Sequence, residues 1–268
     1  MLELKKGEDI LAKLGGIADA SAALELITSK MDADNQAKLD KLKNPDALIK
    51  IANAVAIAQP DSIFINTGSD ADLNFIRKAS IEKGEERPLA MKDHTIHSDL
   101  PEEQGRVVDR TFYIVNPDEK TSSLAKKQLR SESTAYIAEK FTGIMKGKVM
   151  WLGLFSRGPA GAPATLPAIE MSSSTYVMHS ANILYRNGYE TFDAECERAG
   201  RFLTNVHAEG LNRAEDLPNA RVYMDRAWLT TFSMFCTYAG NTLLMKKGNH
   251  RFAVDLATYL KRGTELSE

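Results

Sequence analysis

The chain has 268 residues, 43% of them hydrophobic and 26% charged, with 34 Lys+Arg against 36 Asp+Glu for a formal net charge of −2. This is ordinary globular composition, with enough apolar material for a sizeable core in one large domain or two small ones. It excludes a nucleic-acid partner captured by bulk basic charge and a membrane span, since no stretch approaches 18 apolar residues. The two cysteines, Cys196 and Cys236, have no metal-ligand spacing and make no disulfide framework. A reducing, cytoplasmic location is therefore expected. The opening MLELKKGEDILAKLGG is charged and lacks a secretory apolar core.

Residues 1–60 are expected to form a helical N-terminal segment with a packing role. In NPDALIKIANAVAIAQP, Leu48, Ile51, Ala52 and Val55 fall on one helical face, Asn44 and Pro45 suit an N-cap and N1, and Pro60 closes the run. The pattern then changes. SIFIN (62–66) favours a strand, Gly68 a turn, and Ser69 or Asp70 the cap of a helix ending near Gly84. TFYIV (111–115) and KVMWLGLF (148–155) are further predicted strands. STYVMHSANILYRNG (174–188) is predicted as a helix ended by Gly188. RFLTNVHA (201–208), ARVYM (220–224) and AWLTTFSMF (227–235) are predicted strands. Phe252, Leu256, Tyr259 and Leu260 recur at helical spacing. The sum is a mixed α/β (α+β) domain over 61–268, a mixed sheet with flanking helices.

Four stretches invite chemistry, each with an ordinary alternative. FSRGPAGAP (155–163) is either a surface turn or a backbone-lined wall of a ligand site. Arg106, in PEEQGRVVDRT, is either paired with Glu102 or Glu103 at the surface or is a bidentate carboxylate clamp. His94 and His97, at i and i+3, are a weak metal pair, the basis of a rival reading as a metal-dependent hydrolase. His179 and His207 stand isolated and are expected to be structural. In YAGNTLLMKK, Tyr238 precedes the small residues Ala239 and Gly240, and Asn241 and Thr242 suit a helix N-terminus open to an anion. Lys246 and Lys247 add charge there. They are either solvated or mutually repelling, which lowers each amine's proton affinity and lets one bind a metal.

Together these stretches resemble the GTP-dependent phosphoenolpyruvate carboxykinases, specifically their N-terminal, substrate-side domain. FSRGPAGAP matches the family's Phe-Ser-x-Gly-Pro-x-Gly-x-Pro loop, IEMSSSTYV its following stretch, PEEQGRVVDRT its arginine before a Thr-led strand, and TYAGNTLLMKK its Gly-Tyr-Gly-Gly-Asn-Ser-Leu-Leu-x-Lys-Lys segment. Thr237 and Ala239 stand where the family has glycines, and GNH (248–250) is inserted after the lysine pair. Family members are more than twice as long. The chain contains no Gly-x4-Gly-Lys-Ser/Thr, and the C-terminal nucleotide-binding domain is expected to be absent from it.

The resemblance implies conversion of oxaloacetate and GTP to phosphoenolpyruvate, GDP and CO2 by a monomer using Mn2+ or Mg2+. In this reading the metal is a Lewis acid for the enolate, and phosphoryl transfer runs on positioning and charge neutralisation. By motif match Arg106 holds the substrate carboxylate. Tyr238, Ala239, Gly240 and Asn241 line the pocket, Lys247 is the amine ligand of the metal, and Lys246 faces the anion. Ser156 and the glycine loop form a structural wall. The loops at Arg106, Gly158–Pro163 and Tyr238–Asn241 are expected to gather at one edge of the domain. A stand-alone, non-catalytic dicarboxylate-binding module is the alternative, and the residues leave nucleotide and pyrophosphate both open as phosphoryl donor.

Overall fold

Four polar residues each start a helix by accepting a backbone N–H into the side chain. Asp9 accepts from Leu11 and opens α1 (Ile10–Gly15), Asp19 from Ala22 and opens α2 (Ala20–Thr28), Asp32 from Asn35 and opens α3 (Ala33–Leu39), and Asn44 from Ala47 and opens α4 (Pro45–Ala58). Leu48, Ile51, Ala52 and Val55 are buried as their spacing requires, and Ala47, Ala54 and Ile57 are buried too, so α4 is covered well beyond one stripe. Two polar side chains in α4 are tied off: Lys50 Nζ donates to Asp9 at 2.6 Å, and Asn53 exchanges hydrogen bonds with the backbone of Ile17. The computed structural model describes residues 7–98, 110–119, 126–163, 165–211 and 213–236.

After α4 come β1 (Ser62–Asn66), α5 (Asp70–Glu82, capped by Ser69) and a small hairpin of β2 (Arg87–Pro88) and β3 (Thr95–Ile96). Then follow β4 (Thr111–Val115), β5 (Lys127–Leu129), α6 (Arg130–Phe141), β6 (Val149–Arg157) and β7 (Leu166–Ser172). The chain continues through α7 (Thr175–Leu184), β8 (Arg186–Asn187), α8 (Phe192–Ala199), β9 (Leu203–Ala208), a 3-10 turn (Ala214–Asn219), β10 (Arg221–Asp225) and β11 (Thr230–Met234). Among the described residues one mixed sheet of nine strands forms, in the order β1-β6-β7-β9-β11-β10-β4-β5, with β8 added beside the end of β6. No helix among these residues is long and apolar enough to cross a membrane.

One face of the sheet carries the main core. Ile169 and Met171 of β7, Val206 and Ala208 of β9, and Phe232 and Met234 of β11 pack there with Ile10, Leu11, Ile27, Leu39 and Ile51 of the N-terminal helices and Phe141 of α6. On the other face, Trp151 and Phe155 of β6 pack with Ile76 of α5 and Met178 of α7.

The sheet and its flanking helices are the mixed α/β arrangement expected. The helix predicted to reach Gly188 instead stops at Leu184, because Arg186 and Asn187 pair with Ser156 and Phe155 as β8. Gly188 is small for a different reason than a helix end: a Cβ there would meet the Phe155 carbonyl carbon at 2.7 Å. Its N–H donates to the Leu154 carbonyl at 2.9 Å. The helical spacing through Phe252 to Leu260 lies outside the described residues. Cys196 and Cys236 form no disulfide.

Candidate active site

The residues singled out for substrate and metal, namely Arg106, Tyr238, Ala239, Gly240, Asn241, Lys246 and Lys247, all lie outside the described residues. The structure does fix where their stretches join the sheet. Thr111 begins β4 and pairs with Val222, near the start of β10; Arg221 pairs with Met234, the last residue of β11. The chain from Arg106 therefore arrives, and the chain to Tyr238 departs, at the same edge of the sheet. Arg110, next to β4, donates to the Leu217 carbonyl.

FSRGPAGAP leaves from the opposite edge, and the two loops expected to gather with it, at Arg106 and at Tyr238–Asn241, lie outside the described residues. Arg157 pairs with Leu166 at the start of β7, and β7, β9 and β11 run parallel, so Arg157 shares its edge with the beginning of β11. The loop is tied down by its neighbours. Gly161 N–H donates to Glu195 Oε1 at 2.5 Å, and Arg198 donates to the Pro163 carbonyl. Gly158 has φ +132°, and a Cβ there would meet Thr165 Oγ1 at 2.5 Å, so only glycine fits. Arg198 and the hydrogen bond from Gly161 hold Glu195 below the usual carboxylate range against the opposing effect of burial, the largest influence on it.

The two weak histidines are occupied separately. His94 Nδ1 lies 2.9 Å from the Lys92 carbonyl. His97 Nδ1 lies 2.5 Å from the Glu85 carbonyl, and its ring stacks on Tyr176 with centroids 3.9 Å apart. No group of three or more His, Cys, Asp and Glu among the described residues could hold a metal ion. The fit of Mn2+ or Mg2+ thus turns on Lys247, outside them. His179 pairs with Glu86 at 2.8 Å.

The sheet carries a polar feature that the sequence reading passed over. On the face away from the main core, Glu170, Asn205 and Thr231 stand in register across β7, β9 and β11, and Ser172, His207 and Ser233 form the next row. All six are at most 2% exposed. Asn205 Nδ2 donates to Glu170 at 2.6 Å, while Asn205 Oδ1, Thr231 Oγ1 and Ser233 Oγ have no hydrogen-bond partner among the described residues. Burial raises the Glu170 carboxyl well above its ordinary range, with the Asn205 hydrogen bond opposing. Glu170 and Asn205 also line a cavity of ≈ 10 Å³, with Arg157 and Tyr185. The signal was the alternation itself: IEMS, TNVH and TTFS place polar residues at every second position. That pattern ordinarily marks a solvated face, and here both faces are buried.

The second row reaches the edge where the Tyr238 stretch begins. His207 Nδ1 accepts from Ser172 Oγ at 2.7 Å, and its Nε2–H donates to the Cys236 carbonyl at 2.8 Å. Burial drives its pKa down from 6.5 to about 4, with Lys148 adding to the fall and the Cys236 hydrogen bond opposing it. The ring is neutral and structural, as its isolation in the sequence suggested.

A family model described as phosphoenolpyruvate carboxykinase N-terminal domain matches residues 50–258. The phosphoenolpyruvate carboxykinase (GTP) of Saccharolobus solfataricus is 33% identical over 226 residues, 84% of this chain and 36% of that protein. The protein of the same name from Thermococcus kodakarensis is 33% identical over 239 residues, 88% of this chain and 38% of that protein. That of Pyrococcus furiosus is 31% identical over 242 residues, again 88% and 38%. The chain thus spans 36–38% of the length of these curated relatives. With a family model covering most of its length and relatives above 30% identity, this chain belongs to the phosphoenolpyruvate carboxykinase family, matching its N-terminal domain.

Proposed function

We propose that this chain is the substrate-side part of a GTP-dependent phosphoenolpyruvate carboxykinase, which converts oxaloacetate and GTP to phosphoenolpyruvate, GDP and CO2 in the cytoplasm as a monomer. The observation that carries the reading is the shared edge: the stretches bearing Arg106 and Tyr238–Lys247, far apart in sequence, are rooted on β4 and β11 at one end of the sheet. Arg106 grips the substrate carboxylate with its planar fork. The hydrogen bond of Arg110 to Leu217 gives that neighbouring arginine a structural task instead. Tyr238, Ala239, Gly240 and Asn241 line the pocket, and Lys246 faces the anion. Lys247 offers a neutral amine to Mn2+, or Mg2+, which supplies Lewis-acid chemistry to the enolate oxygen. Keeping a lysine neutral near pH 7 costs roughly 4–5 kcal/mol, which ligation must offset. GTP and the remaining metal contacts come from outside the matched stretch, so the 268-residue chain alone is expected to show no GTP-dependent turnover.

The test is steady-state kinetics over an Mn2+ titration in the full-length protein. Arg106→Lys keeps the charge and loses the fork, and should lower kcat/KM for oxaloacetate by about ten- to a hundredfold. Lys247→Ala should chiefly raise the Mn2+ requirement. Parental behaviour of Arg106→Lys beside a crippled Arg110→Lys would reassign the clamp. Dicarboxylate binding without turnover in the parent would favour the non-catalytic module.

A further inference from the structure

We propose that Glu85, Ser174, Ser172 and His207 form one anchoring chain that holds the roots of the two substrate-facing stretches in a fixed relation, with His207 a positioning residue for the Tyr238–Lys247 stretch. The proposal rests on the carboxykinase reading for its consequence, and on described side chains for its geometry.

The chain of contacts is continuous. The Glu85 carbonyl lies 2.5 Å from His97 Nδ1, nine residues before Arg106 in the sequence. The Glu85 carboxylate accepts from Ser174 Oγ at 2.6 Å and from Tyr176 N–H at 2.8 Å, capping the first turn of α7 with a negative charge. The same Tyr176 carries the stacked His97 ring. Ser174 N–H donates to Ser172 Oγ at 3.0 Å, and Ser172 Oγ donates onward to His207 Nδ1 at 2.7 Å. His207 Nε2–H then donates to the Cys236 carbonyl, two residues before Tyr238.

Backbone bonds brace the same corner: Ser173 N–H to the His207 carbonyl at 3.2 Å, and Phe235 N–H to the Ala208 carbonyl at 2.8 Å. Ser172 and His207 are each 0% exposed, so water cannot replace a lost member. Both His207 nitrogens are occupied and its position is in mid-sheet, away from any solvent-facing surface. An apolar residue would fill the same space, so the polar ring is there for its two hydrogen bonds. Their outer end is the Cys236 carbonyl, two residues before Tyr238 in the sequence.

The experiment compares His207→Leu, His207→Gln, Ser172→Ala, Glu85→Ala and the Glu85→Ala/His207→Leu double variant in the full-length protein. His207→Leu should raise KM for oxaloacetate and the Mn2+ concentration for half-activation by about tenfold each, as for loss of a buried hydrogen bond. His207→Gln, which keeps a donor and an acceptor, should recover most of this. Ser172→Ala should act in the same direction more weakly. The double variant should be little worse than the worse single one, since a chain broken once is broken.

A second readout does not use activity. Glu85→Ala should speed amide hydrogen exchange at residues 234–236, although Glu85 touches none of them. Unchanged exchange there, parental kinetics in His207→Leu, or a fully multiplicative double variant would overturn the proposal. A parent without turnover would overturn the carboxykinase reading, and the exchange measurement would still decide the anchor. If His207→Leu does not fold, Ser172→Ala and Glu85→Ala carry both readouts.

Discussion

His207 is neutral because it is buried, and that gives the fold a pH dependence of definite sign. Once the chain is unfolded its ring binds a proton below its ordinary value of 6.5; in the fold it does so only below about 4. Between those values the unfolded state holds the extra proton, so stability present at pH 7 is lost as pH falls. From this ring alone the loss should reach about 2 kcal/mol by pH 5. Glu170, raised by burial, works in the opposite direction and favours the fold as pH falls. The two are separated by comparing the parent with His207→Gln in urea unfolding at pH 7 and pH 5. The variant should lose markedly less stability on acidification, and an equal loss in both would show that the ring titrates as an exposed histidine does.

At the scale of elements, the strands that were legible in the sequence are those whose residues agree with one another. SIFIN became β1 residue for residue and TFYIV became β4, because β-branched and aromatic side chains suit a pleated surface between polar boundaries. β7 was not legible. It opens on Leu166–Pro167 and carries Glu170 at its centre, both of which argue against a buried strand, yet it pairs with β6 and β9 along its whole length. Burial shifts the Glu170 carboxyl toward its uncharged form and Asn205 donates to it, which removes the objection, and no local pattern announces that. α7 was legible at its Ser174 cap and not at its end, where long-range pairing of β8 with β6 overrides helical propensity. The close approach at Gly188 makes this testable. Gly188→Ala should cost about 1–3 kcal/mol by overpacking against the β6 backbone. The check is chemical denaturation, and parental stability would mean that β8 is free to move away.

For the whole molecule, the residues proposed to face substrate could be read only through their motifs, since nothing in the spacing of Arg106 or Lys247 distinguishes a clamp from a solvated side chain. The core, by contrast, could be read from periodicity as far as α4 goes. What periodicity does not give is the partner of each apolar face. Ile10, Leu11, Ile27, Leu39 and Ile51 from before residue 60 share one core with Ile169, Val206 and Phe232 of the central strands. Removing residues 1–60 would open that face of the sheet to water. Such a truncated chain should lose its cooperative thermal transition and bind a hydrophobic dye. A sharp transition like the parent's would show instead that residues 61–268 stand as a domain of their own.

The order of strands also governs how the molecule comes into being. β1 must wait for β6, and β4 for β10, with Thr111 pairing only with the distant Val222. During synthesis the first four helices emerge well before the sheet they cover, so their apolar sides spend that interval exposed. The first helices can pack on one another at once, through Ile10, Leu11, Ile27 and Ile51, while the sheet forms only when its distant strands meet. Until those strands meet, the sides of the helices that the sheet will cover stay open to other chains, and that interval is when the protein is most exposed to aggregation.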